Sequence, residues 1–359
     1  MTTARDPVAD LRRIAFLLER ANEATYRVRA FRSAAKTLSG LPAAEVAQRA
    51  AAGTLTELSG VGDVTARCVA ESLAGEEPVY LRRLLATEGV DLDDAATALR
   101  SALRGDCHTH SDWSDGGSPI EEMALAAVEL GHEYIVLTDH SPTLKVARGL
   151  TADRLKRQLD YVAAVNEALP EGFRILTGIE VDILADGSLD QTDELLSRLD
   201  VVVASVHSAL RDESARMTRR MLRAIENPHM DVLGHCTGRM VANRPAGAEG
   251  PGDRGHRKRL RPPSDFDAAA VFAACAEHGK AVEINSRPER QDPPKRLMRQ
   301  ALEAGCVFTI STDAHAPGQL DWQRFGCERA ALCGVPADRV VNTWKADQLV
   351  DWAAGHAAG

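Results

Sequence analysis

Gly105–Gly117 reads GDCHTHSDWSDGG. Two histidines, His108 and His110, stand one residue apart, and Asp115 follows them. On an extended strand alternate side chains share a face, so both imidazoles aim the same way. Imidazoles converging with a carboxylate outline a first-row transition-metal site. A solvated loop with idle histidines has the same local sequence, so the choice falls to the rest of the chain.

Downstream, strand, loop and helix alternate. The strand-like runs are YIVLTDH from Tyr134, RILTGIEVDIL from Arg174, VVVASVHS from Val201, DVLGHCTGR from Asp231, AVEINSRPE from Ala281 and VFTISTDAH from Val307. Helical patterns such as PIEEMALAAVEL and PKRLMRQALEAG separate them. With the opening strand this makes about seven βα units, the alternation of a parallel sheet or barrel. Nearly every run ends in a group able to bind metal: His108 and His110, Asp139-His140, Glu180, His207, His235, and Asp313 with His315. In a βα barrel the C-terminal strand ends share one rim, so residues far apart in sequence converge there. The Gly-, Pro- and Arg-rich stretch Ala246–Arg261 breaks the alternation and reads as a basic loop.

Residues from about 8 to 100 read instead as successive helices, with Leu11, Ile14, Leu17 and Leu18 at helical spacing. The segment ATYRVRAFRSAAKTL interleaves Arg27, Arg29 and Arg32 with Tyr26, Val28 and Phe31, a solvated basic face or a nucleic-acid contact. Gly60-Val61-Gly62 then opens a helical pattern, DVTARCVAESL. A Gly-x-Gly turn at a helix N-terminus offers backbone N–H groups and positive potential to a phosphate. The expected organisation is therefore a helical domain over 1–100, a barrel over 101–340 and a helical tail over 341–359, where Trp344 and Trp352 fall at helical spacing.

The 359 residues are 44% hydrophobic and 26% charged, the composition of an ordinary water-soluble chain with material for a large core. A net charge of −9 argues against electrostatic coating of nucleic acid, although local basic patches remain compatible with it. No apolar run is long enough to span a bilayer, and MTTARDPVADLRR has no signal-peptide core. Seven cysteines without a CxxC pair do not form a disulfide framework, so a reducing cytoplasm is expected.

HTHSDWSDG, LTDHS, GIEVDI, SVHS, GHCTGR and STDAH, in that order, resemble the successive motifs of the PHP (polymerase and histidinol phosphatase) family over residues 105–330. Residues 8–78 resemble the N-terminal helix-hairpin-helix domain of bacterial family X DNA polymerases, and HSPTLKVARGLT resembles the PHP version attached to them. Two departures stand out. Cys68 occupies the place of the Schiff-base lysine found in eukaryotic relatives, and the stretch between Pro78 and Gly105 is too short for a polymerase core. The PHP resemblance implies a distorted (β/α)7 barrel with a trinuclear centre. In it His108, His110, Glu180 and Asp313 would hold one ion. Glu180 would bridge to a second ion held with His207 and His235, and Asp115, His140 and His315 would hold a third.

Imidazole and carboxylate ligands without thiolate suit Zn²⁺, Mn²⁺ or Fe²⁺. Such a centre would hydrolyse a phosphate ester through a metal-activated hydroxide. Arg239, Lys145 and Arg148 lie close in sequence to ligands and are the expected phosphate-binding cations. Asp106, Asp139 and Asp182 read either as partners that fix imidazole tautomers or as exposed loop carboxylates. Cys107 and Cys236 have no expected role. The expected substrate is DNA, through 3′–5′ exonuclease, 3′-phosphatase or abasic-site nuclease action, with Gly60, Gly62, Arg27, Arg29 and Arg32 touching its backbone. A small-molecule phosphatase of histidinol-phosphatase type and a DNA-binding protein with a relic barrel are the alternatives.

Overall fold

A computed structural model describes residues 5–86, 92–241 and 260–358. The chain divides into two compact units, 1–91 with 317–319, and 92–316 with 320–359. The division thus falls near Asp91 rather than at residue 100, and the 341–359 tail belongs to the barrel's unit.

The first unit holds α1 (Pro7–Arg20), α2 (Thr25–Ser39), α3 (Ala43–Ala52), α4 (Asp63–Leu73) and α5 (Val79–Leu85). Asp6 caps α1 by accepting from the Val8 N–H at 2.8 Å, and Pro7 fills the first helical position, where no N–H is needed. Leu11, Ile14, Leu18, Phe31, Leu38 and Val69 are buried at its centre. The hairpin joins α3 to α4. Gly60 turns it at φ +81°, and a Cβ there would stand 3.1 Å from the Ser33 Cβ. Gly62 caps α4 and donates its N–H to Thr65 Oγ1 at 2.9 Å.

The second unit begins with α6 (Asp94–Ala102) and continues through β1 (Gly105–Thr109), α7 (Ile120–Glu129), β2 (Tyr134–Leu137), α8 (Ala152–Ala168), β3 (Arg174–Asp182) and α9 (Asp193–Leu196). Next come β4 (Val201–Ser205), α10 (Ser214–Ile225), β5 (Val232–Leu233), α11 (Ala268–Glu277), β6 (Ala281–Asn285), α12 (Lys295–Glu303), β7 (Val307–Ser311), α13 (Gln323–Leu332) and α14 (Ala346–Ala358). The seven strands pair in sequence order, all parallel, and a bridge between Thr109 and Ala314 joins the ends of β1 and β7. The result is a nearly closed (β/α)7 barrel, one of the two arrangements the alternation allows and the one the PHP resemblance implies.

Period-two patterning layers its interior. Val136, Leu176, Val201, Val203, Val232 and Ala281 form one apolar cluster, which Val341, Leu349 and Ala353 of the C-terminal stretch join. Two residues beyond Ala281 stands Glu283, and four beyond Leu176 stands Glu180, so the same inward face turns polar toward the strand C-termini. The tail is fastened by Tyr134, which donates to Trp344 O at 3.2 Å, and by His356 against Asp231 at 2.7 Å. Trp344 precedes α14 rather than lying on it, yet its ring centroid stands 6.0 Å from that of Trp352.

Candidate metal centre

Register slips between β1 and β2 from Asp106 to Thr109. Cys107 joins the apolar cluster while its neighbour His108 meets Glu283 of β6, so consecutive residues both turn inward. Irregularities of this kind re-aim side chains beside active sites.

Glu180, at the end of β3, is the hub. Its Oε1 lies 2.7 Å from His235 Nε2 and 3.2 Å from His207 Nε2. Its Oε2 lies 2.9 Å from His140 Nδ1, 3.3 Å from His108 Nε2 and 3.6 Å from His110 Nε2. His110 Nε2 is also 3.4 Å from Asp313 Oδ1, and Asp115 Oδ1 lies 3.5 Å from His140 and 3.4 Å from His315. All nine sequence-predicted ligands therefore meet at one rim. The ligand atoms of seven of them fall into three groups within 4.8 Å: His108, His110 and Glu180; His140, Glu180 and His207; and His110, Asp115, His140 and His315, while His235 and Asp313 adjoin through Glu180 and His110. His110 and His140 each belong to two groups, an overlap that assigning each histidine to one ion does not anticipate.

These residues fit divalent cations. The donors are imidazole and carboxylate, and His108 Nε2, both ring nitrogens of His110, His140 Nδ1, His207 Nε2 and Glu180 Oε2 are buried without a hydrogen-bond partner. Groups of this kind are costly to bury unless something binds them. Burial would push the Glu180 carboxyl up, but His108, His140 and His207 outweigh it and hold it well below the carboxylate range. Burial, with His315 and His140 alongside, pushes His110 down to about 3, which leaves its lone pair available. Because the cations bind only the folded site, Zn²⁺ at about 100 times its dissociation constant should add about 2.7 kcal/mol. Relative to chelated protein the melting temperature should then rise by about 5–10 °C in scanning calorimetry. An unchanged melting curve would count against the site.

Of the three carboxylates beside the ligands, Asp182 accepts from His207 Nδ1, and the other two brace loops. Asp106 accepts from Thr312 and from the His108 N–H at 3.1 Å, and burial pushes its carboxyl up to about 7. Asp139 accepts from the Ser111 N–H at 2.9 Å, from Ser114 Oγ at 2.5 Å and from Gln158 Nε2 at 2.6 Å, fixing the turn that leads to Asp115. All three are buried.

The expected phosphate-binding cations stand elsewhere. Arg239 donates from Nε to Arg290 O at 3.0 Å and from Nη2 to Gln291 O. Arg148 donates to the carbonyls of Asp112 and Ser114, and Lys145 is exposed on a 3₁₀ turn. In their place Arg287 and Arg290 line a cavity of about 250 Å³ with Asp115, His140, His207 and His315. Arg290 Nε donates to Asp313 Oδ2 at 2.8 Å, while its Nη1 is buried without a partner. Burial would raise the Asp313 carboxyl, but the Arg290 guanidinium outweighs it and keeps Asp313 ionised. Cys107 and Cys236 are buried, their thiols pushed up by that burial. Of the basic loop Ala246–Arg261, residues 246–259 lie outside the described residues; Arg261 donates from Nε to Gly238 O at 2.5 Å.

In the helical unit, Arg32 makes a two-pronged pair with Glu19 at 2.9 and 2.8 Å, and Arg27 donates to Glu23 at 2.7 Å and to Tyr80 at 2.6 Å. Arg29 is exposed. The basic face is thus partly used in holding the unit together. Cys68 is buried within α4, and its thiol is pushed up to about 11, chiefly by burial.

The PHP domain family model matches residues 106–287, just over half of the chain. The chain belongs to the PHP domain family. This PHP chain also matches a helix-hairpin-helix domain over residues 3–77. It is 38% identical over 240 residues to "DNA polymerase/3′-5′ exonuclease PolX" of Bacillus subtilis (strain 168), covering 67% of this chain and 39% of that protein's length. It is 29% identical over 252 residues to a "Probable phosphatase" of Thermoanaerobacter sp. (strain X514), covering 66% of this chain and 89% of that one. A crystal structure of histidinol phosphate phosphatase from Lactococcus lactis, complexed with Zn, L-histidinol and phosphate, aligns with TM-score 0.42 at 18% identity. That alignment covers 64% of this chain and 92% of the other. Membership and the named phosphatase relatives make this PHP protein a phosphoric ester hydrolase. Among the described residues no helix is long and apolar enough to cross a membrane.

Proposed function

We propose that this chain is a DNA-directed phosphoesterase with a trinuclear divalent-metal centre, removing nucleotides or phosphate from 3′ ends or cutting at abasic sites. The observation that carries the reading is the convergence of nine ligand-type side chains at one rim, five of them against Glu180, beside a cavity walled by two arginines. The helix-hairpin-helix match and the likeness to an exonuclease-bearing relative support DNA as the substrate.

When bound, divalent cations activate a water nucleophile and neutralise charge building on the leaving oxygen. The chain's own groups do the rest. Glu180 belongs to two of the three ligand groups and joins them, and Asp182 holds the His207 ring through Nδ1. Arg290, anchored through Nε on Asp313, presents Nη1 to a non-bridging phosphate oxygen, and Arg287 adds a second cation. Gly60–Gly62 and Arg29 meet the DNA backbone without reading sequence.

The match across 89% of a named phosphatase favours a second reading, a small-ester phosphatase of histidinol-phosphatase type. Offering Mn²⁺- or Zn²⁺-loaded protein 3′-recessed DNA, abasic DNA and histidinol phosphate side by side separates the two. Turnover of the small ester alone would overturn the DNA reading. The hairpin gives a companion test. A side chain at Gly60 must adopt φ +81° and crowd Ser33, a strain of about 1–2 kcal/mol. Gly60→Val should therefore weaken DNA binding about tenfold in fluorescence anisotropy. Hydrolysis of a small ester should stay within about twofold of the parent.

A further inference from the structure

Six of the seven strands deliver the nine candidate ligands; β6 delivers none. It nevertheless carries a fully buried glutamate in mid-strand, Glu283, where charged residues are rare unless paired. Glu283 Oε1 lies 2.6 Å from His108 Nδ1, and Oε2 accepts from the His235 backbone N–H at 2.6 Å. Asn285 Nδ2 donates to that same Oε2 at 3.2 Å and to Asp313 Oδ2 at 3.3 Å. One carboxylate thus touches ligand-bearing elements on both sides of β6.

We infer that Glu283 is a positioning residue that holds the proton of His108 on Nδ1 and thereby keeps the Nε2 lone pair aimed at the metal beside Glu180. His108 Nε2 stands 3.3 Å from Glu180 Oε2 with no hydrogen-bond partner, the placement a ligand nitrogen needs. An imidazole is either donor or acceptor at Nδ1, and its partner decides which. A carboxylate only accepts, so the proton goes to Nδ1. This inference rests on the metal-centre reading and on no particular substrate.

Glu283→Gln tests it with almost no change of shape. The His235 N–H is an obligate donor, and Asn285 donates to the same oxygen, so the glutamine oxygen must take the Oε2 place. Its NH₂ then faces His108 Nδ1, and the ring's proton moves to Nε2, which blocks the ligand position. Isothermal titration of chelated protein with Zn²⁺ should show one class of ion weakened about 10–100-fold, with the far-ultraviolet circular dichroism unchanged. ¹⁵N-detected imidazole spectra of the Zn²⁺-free variant at high pH should report the proton of His108 on Nε2, against Nδ1 in the parent. In a His108→Ala background Glu283→Gln should change Zn²⁺ affinity less than about twofold, because the ring it acts through is gone. An equal loss in both backgrounds, or an unchanged tautomer, would overturn the inference. A parent protein that takes up no Zn²⁺ would overturn the metal centre itself, a different result.

Discussion

Glu180→Gln should lower phosphoester turnover by about three orders of magnitude while leaving the chain folded and its affinity for DNA unchanged. Each oxygen of the native carboxylate faces imidazole nitrogens, two within 3.2 Å of Oε1 and three within 3.6 Å of Oε2. An amide keeps one acceptor and turns an NH₂ toward the other set, so one ligand group loses its anionic member outright. Metal ions contribute several kcal/mol of charge stabilisation in phosphoryl transfer, and each 1.36 kcal/mol is a factor of ten in rate. The loss should appear in kcat. Bound metal, counted by plasma emission spectroscopy after gel filtration, should fall with it. Turnover within tenfold of the parent would show that Glu180 does not bridge the centre. Because Glu180 lies in the barrel unit and the hairpin in the helical unit, anisotropy with labelled DNA should give the parent's dissociation constant.

The ligands were legible in the sequence for a chemical reason. Histidine and aspartate are poor residues for the end of a buried strand, and they recur at that place from His108 to His315. The same regularity pointed to a parallel sheet or barrel, and the motif resemblance selected the barrel. What stayed hidden depends on register and reach. His108 turns inward beside Cys107 only because pairing slips after Asp106, and alternation by itself would put Asp106 on the same face as His108. Arg239 is four residues from His235, yet its guanidinium is taken by the carbonyls of Arg290 and Gln291. The cations that do line the cavity come from AVEINSRPER, a run with no ligand and hence no apparent claim on the site. A signal was present there. Glu283 interrupts an apolar strand pattern, and a charge in mid-strand asks for a partner. Similarly, the run of arginines on α2 could not disclose that Glu19, thirteen residues before Arg32, would neutralise one of them.

Arg290 separates holding the centre from gripping the substrate, and two substitutions distinguish those roles. Its Nε is committed to Asp313 at 2.8 Å, whereas Nη1 is buried and unpartnered at the cavity wall. Arg290→Leu removes both functions. It leaves the buried Asp313 carboxylate with Asn285 Nδ2 at 3.3 Å, His110 Nε2 at 3.4 Å and Arg287 Nη1 at 3.7 Å, weaker company than a direct guanidinium bond. Breaking one side of a buried ion pair typically costs about 3–5 kcal/mol, so this variant should melt lower and lose at least about a hundredfold in kcat/KM. Arg290→Lys keeps a positive charge near Asp313, but a single ammonium cannot hold the carboxylate and also reach a phosphate oxygen with the planar fork. A charge-assisted hydrogen bond is worth about 1.5–3 kcal/mol, so the lysine variant should fall about 10–100-fold in kcat/KM with little change in melting temperature. Inhibition by inorganic phosphate should weaken in parallel, since phosphate would use the same Nη1. A lysine variant that hydrolyses its substrate and binds phosphate like the parent would reduce Arg290 to a brace for Asp313. Arg287 would then be the remaining cation on the cavity wall to test.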